Sequence, residues 1–141
     1  MKKYYCNKTI ITDDQWKYLI GLVLRDTDTI EFNILSRRYK SFLHSTLSGM
    51  LYEVIEKREG KIYQTGEFLR FPFADGIKQL ILQKDYADWR NHFIEDVCFI
   101  SKGIEVLSTV THENYVIMLL SEHQRHDLNN NGFKFEIEWV S

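Results

Sequence analysis

From Phe133 to Trp139 the chain alternates without interruption. Phe133, Phe135, Ile137 and Trp139 share one parity, and Lys134, Glu136 and Glu138 share the other. Successive side chains of a strand point to opposite faces, so this run predicts a half-buried strand over 133–140 with a large apolar face. Upstream, Val97-Cys98-Phe99-Ile100 is apolar on both parities, and Ser101-Lys102-Gly103 supplies a hairpin turn. Ile104 to Thr111 alternates again, His112-Glu113-Asn114 reverses the chain, and Tyr115 to Leu120 is apolar throughout. Ser121 and Gln124 have capping-box spacing, which opens a short helix, and Asn129-Asn130-Asn131-Gly132 closes it. The last third therefore reads as an antiparallel β-β-β-α-β meander on which the preceding chain is organised.

The first two thirds read less evenly. Tyr4 to Ile11 suggests a short edge strand. Thr12 with Gln15 forms a second capping box, and Trp16, Leu19, Ile20, Val23 and Leu24 continue it as the apolar stripe of a helix over 13–25. Thr29 to Leu35 alternates as a strand. Tyr39 to Ile55 fits a helical stripe over about 38–57, although Ser45, Thr46, Ser48 and Gly49 are weak helix formers. The competing reading pairs Leu51–Lys57 as a hairpin strand with Lys61–Phe68. Lys61 to Phe71 is a strand that Pro72 stops, Asp75 to Lys84 is a helix, and Asp85 to His92 is a polar, aromatic connection. The expected fold is a single α+β domain spanning residues 1–141. Its antiparallel sheet packs two or three helices on one face.

Charge refines the picture. The formal net charge is −2, which gives no general attraction to nucleic acid or anionic membrane. It is uneven: residues 1–72 hold 12 Lys/Arg against 9 Asp/Glu, and residues 73–141 hold 6 against 11. An acidic C-terminal half favours a basic partner. Arg37-Arg38-Tyr39-Lys40 and the Lys57–Tyr63 segment interleave basic and aromatic residues, but without an overall basic balance they read as solvated surface. Two cysteines, Cys6 and Cys98, make no secreted disulfide framework, and no apolar run approaches membrane-spanning length. The expected location is the cytoplasm.

No stretch implies one chemistry. His123 and His126 share a helix face beside Glu122 and Asp127, yet two ligands on one turn do not close a zinc site. The glycines match no nucleotide fingerprint, and no motif calls for a cofactor. If the start of the 97–100 strand and the 112–114 turn fall at one sheet end, His92, Asp96, His112 and Glu113 form a His/carboxylate cluster, the alternative enzymatic reading. A Cys98/His112 nucleophile pair is a weaker candidate. Tyr86, Trp89 and Arg90 have the composition of an interface anchor, and Glu136 and Glu138 line the last strand. These features favour a small protein-binding module of inhibitor or immunity type over an enzyme. Its oligomeric state is expected to be monomer or weak homodimer through strand 133–140.

Overall fold

A computed structural model describes residues 1–34, 51–55, 67–89 and 94–139. Eight strands form one antiparallel sheet: β1 (Lys3–Asn7), β2 (Thr29–Ile34), β3 (Glu53–Ile55), β4 (Phe68–Pro72), β5 (Ile94–Ser101), β6 (Ile104–Val110), β7 (Tyr115–Leu120) and β8 (Phe135–Glu138). Their spatial order is β3-β4-β2-β5-β6-β7-β1-β8. Among the described residues, three helices, α1 (Asp13–Val23), α2 (Asp75–Gln83) and α3 (Glu122–Asn130), lie between the strands along the chain. The α+β class, the antiparallel sheet, the helices over 13–25 and 75–84 and the short helix after Ser121 are as the sequence predicts.

Local chemistry explains the element ends. Thr12 and Ser121 each accept a hydrogen bond from the backbone N–H three residues on, and Gln15 and Gln124 return one to the cap. Both capping boxes are complete. The β5–β6 hairpin places Lys102 and Gly103 at φ 50° and 78°. Two consecutive positive φ values match the right-handed twist of the flanking strands. The β6–β7 reversal is a 3₁₀ turn over Thr111–Glu113 that Asn114 ends at φ 57°, a conformation Asn tolerates.

All three helices pack on one face. Trp16, Leu19, Ile20 and Val23 of α1, Ile77, Leu80 and Ile81 of α2, and Leu128 of α3 join one core with Phe32, Phe71, Phe99, Leu107 and Phe135 of the sheet. Trp16 meets Tyr86 and Phe99 edge-on, with ring centroids at 5.4 and 6.2 Å, the geometry that the aromatic quadrupole favours.

Three expectations need correction. The N-terminal strand is not an edge: β1 runs between β7 and β8, so β8 pairs with β1 and not with its meander neighbour. The 38–57 helix falls mostly outside the described residues, but at 53–55 the chain is β3, hydrogen-bonded antiparallel to β4. Strand character at 53–55 agrees with the hairpin reading, but the partners are Phe68 to Arg70, so the register is not that of a tight turn at Arg58-Glu59-Gly60. Third, the apolar parity of β8 does not stay on one face. Asn7 pairs with Phe135 and Cys6 with Ile137, so Glu136 is an extra residue, a bulge. Phe135 enters the core, while Ile137 and Trp139 emerge on the opposite face of the sheet, with Cys6. A one-residue insertion turns every later side chain over.

The bulge makes a prediction that simple alternation does not. Phe135→Ala should cost about 3–5 kcal/mol in denaturant unfolding, and Ile137→Ala less than about 1 kcal/mol. Equal losses would mean that both side chains share one buried face.

Candidate functional site

The face of the sheet away from the helices carries the unusual chemistry. One residue from each strand lines up across all eight: Glu53, Arg70, Glu31, Cys98, Ser108, Ile117, Cys6 and Ile137 are successive cross-strand partners. Their alignment needs the strand order above, because the row joins segments scattered along the chain. Its first half is polar and its second half apolar.

In the polar half, Glu31 is fully buried. Arg70 donates to its Oε2 from Nε at 3.1 Å and from a terminal nitrogen at 2.9 Å, and lies 3.8 Å from Glu53. A buried carboxylate held by two charge-assisted bonds is stable only while its partner stays. Cys98 donates its thiol to Glu105 Oε1 at 3.4 Å and shares a hydrogen bond with Ser108 Oγ at 3.1 Å. A buried thiol whose proton faces a carboxylate acts as a donor and not as a nucleophile, which removes the Cys98/His112 pair as chemistry. Burial likewise pushes the Cys6 thiol up to about 11, far from the thiolate form at neutral pH.

In the apolar half, Cys6, Val110 and Ile117 are buried, and Tyr4, Tyr115 and Trp139 pack half-exposed around them. Tyr115 and Trp139 meet edge-on at 5.9 Å, and Lys8 Nζ lies 5.0 Å over the Tyr115 ring. Ile137 beside them is 46% exposed. Where the middle of this face is closed, at Glu31, Cys98 and Ser108, the β7–β1–β8 end is open and aromatic. Half-exposed Tyr and Trp beside an exposed aliphatic side chain is the composition that dominates binding energy at protein interfaces. Glu136 and Glu138 stand exposed on the same strand, with Lys3 Nζ 3.8 Å from Glu138.

The other expected site residues separate. Asp96 does reach the β6–β7 reversal: its Oδ1 accepts from the Thr111 backbone N–H and hydroxyl, both at 2.7 Å. Asp96 is buried at φ 55° within a β5 irregularity. Its carboxylate thus fastens the turn that carries His112 and Glu113, a structural task. His92 and Arg90 lie outside the described residues, as does the His112 side chain. Glu113 is exposed. Tyr86 and Trp89 are core residues; Trp89 is 0% exposed and packs 5.1 Å from Phe32. A 3₁₀ turn over 86–89 directs both rings inward from a polar sequence, so neither is a surface anchor. His123 sits 3.3 Å from Asp127 on the exposed flank of α3. Among the described residues, no three His, Cys, Asp or Glu side chains form a metal-holding group, and no helix is long and apolar enough to cross a membrane.

Sequence reading does not foresee a groove of about 630 Å³ between α1 and α3, floored by Met118 and Leu128. Its rim carries Lys2, Lys102, Asp26 and Asp127, two of each sign, so it selects for no ligand charge.

The protein matches no family model, no curated protein and no solved structure. Its function is therefore argued from its own residues.

Two results test this description. Arg70→Met should destabilise the fold by about 3 kcal/mol, because it removes both charge-assisted bonds that Arg70 makes to the buried Glu31 carboxylate; a loss below about 1 kcal/mol in urea unfolding would show that the pair is dispensable. Acid should also weaken the fold. The Lys102 backbone N–H, then the Thr29 hydroxyl, hold the Asp28 carboxyl below its usual value. The Tyr5 hydroxyl, then Arg125, do the same for Glu122. A carboxyl depressed in the folded state stabilises fully above its unfolded value near 4, and that contribution is lost as pH falls below it. The urea midpoint should drop between about pH 5 and pH 3, and Asp28→Asn should flatten part of that drop.

Proposed function

We propose that this protein is a small binding module that masks a partner protein with the β8 end of its sheet, in the manner of an inhibitor or immunity protein. The observation that carries the reading is the half-exposed cluster of Tyr4, Tyr115 and Trp139 over Cys6, Val110 and Ile117, with exposed Ile137 paired to Cys6 at its edge. It gives an interface an aromatic and aliphatic centre, and Glu136 and Glu138 make the β8 edge beside it an acidic rim, with Glu138 on the helix side next to its partner Tyr5. The acidic rim favours a basic partner, as does the net −5 of residues 73–141. The titratable groups of the closed half are engaged with one another, Glu31 with Arg70 and Cys98 with Glu105, which leaves the open half as the region built to meet another molecule. Both cysteines are free and buried, which suits a reducing cytoplasm.

The test begins with affinity capture on the tagged chain at low salt, followed by purification of the retained protein and titration. Binding should weaken as ionic strength rises. Ile137→Arg should abolish it, and the double reversal Glu136→Lys with Glu138→Lys should weaken it about tenfold or more at low salt. A partner that binds both variants as tightly as the parent would remove the β8 end as the docking surface.

A further inference from the structure

β8 closes the sheet on one side, and a strand with an open edge invites a ninth. Which of its backbone groups face outward follows from the bonds they make. The Trp139 N–H donates to the Tyr4 carbonyl at 2.8 Å, so Trp139 turns its backbone toward β1. Its neighbour Glu138, paired with Tyr5, therefore turns its own N–H and C=O away. The bulge at Glu136 resets the alternation, and Phe135 also faces outward.

The Phe135 amide, however, already has partners. Its N–H donates to Asn129 Oδ1 at 2.8 Å, and its C=O accepts from Asn129 Nδ2 at 3.4 Å and from Arg125 at 3.4 Å. A carboxamide offers an acceptor and a donor side by side, as a peptide group of a neighbouring strand does. Asn129 thus occupies the position of one residue of a ninth strand. α3, which carries it, is held by few contacts. Only Leu128 of its side chains is buried. The rest of its anchorage is a clamp in which Glu122 accepts from Tyr5 at 2.7 Å and from Arg125 at 2.9 Å, with the Arg125 guanidinium 4.9 Å over the Tyr5 ring.

We infer that α3 is a guard on the β8 edge, and that the edge it closes is a strand-docking site for a second copy of this chain. The edge is self-complementary. Two copies related by a twofold axis can pair Phe135 of one with Glu138 of the other, twice, so each outward-facing peptide meets another. That register sets Glu136 beside the second copy's Ile137 and not beside its own counterpart. Asn129 blocks the register at Phe135, and while it does so the chain stays single. This inference is independent of the proposed docking of a foreign partner, because it is read from the mass of the purified protein alone.

Light scattering after size exclusion tests it on the full chain at several concentrations. The parent should keep the mass of one chain. Asn129→Ala should approach twice that mass as concentration rises. Adding Glu138→Pro should return it to one chain, since proline removes an outward N–H without touching the ladder to β1. If Asn129→Ala fails to fold, Asn129→Ser, whose single hydroxyl is too short to bridge the Phe135 N–H and C=O as the carboxamide does, is the second variant, and the same doubling is expected. A folded Asn129 variant that stays at one chain, a parent that is itself a dimer, or a double variant that remains paired would each overturn the inference.

Discussion

The sheet depends on the backbone ladder that β1 makes on both of its sides. All five residues, Lys3 to Asn7, pair with β7 on one side, and Tyr5 to Asn7 pair with β8 on the other. Without β1, β8 has no place in the sheet and Phe135 has no route into the core. Asn7 reinforces the join from a buried position: its Oδ1 accepts from the Lys134 N–H at 2.7 Å, and its Nδ2 donates to the Thr9 carbonyl. The long-range bond fixes register as well as position, because a shift by one residue would carry the Lys134 N–H away from the Asn7 Oδ1.

The elements whose chemistry is local were legible in the sequence. Each capping box is a matter of residues three apart, and both formed as their spacing implied. The α1 stripe and the two hairpins of the C-terminal meander depend on near neighbours in the same way. What escaped depends on residues distant in the chain. Lys3 to Asn7 has no strict alternation to distinguish an interior strand from an edge, and its partners lie near the other end of the sequence. The Glu136 bulge is a property of two strands together, so the unbroken parity of Phe133 to Trp139 could not announce it.

The candidate site was legible only in fragments. Alternation marked Ile137 and Trp139 as apolar, but only the reversed parity sets them on the open face beside Tyr4 and Tyr115. Asp96 was correctly expected near the 112–114 reversal, because a meander returns its strands to common ends; its two bonds to Thr111 then assign it to holding the turn. Trp89 shows the limit of reading composition. Its neighbours Asp85, Asp88 and Arg90 are polar, yet a single 3₁₀ turn is enough to bury the indole. The row from Glu53 to Ile137 draws on eight separate segments and exists only once the strand order is known.

The placement of β1 also has a meaning for how the protein is made. Ribosomes release a polypeptide from its amino end, so β1 emerges well before β7 and β8, its two neighbours in the sheet. Until both have been translated, Tyr5 and Cys6 have no ladder to join, and closing that long loop is entropically slow. The nascent chain must therefore carry β1 unpaired until β7 and β8 have followed it, and this part of the sheet is sealed by a strand made long before its neighbours.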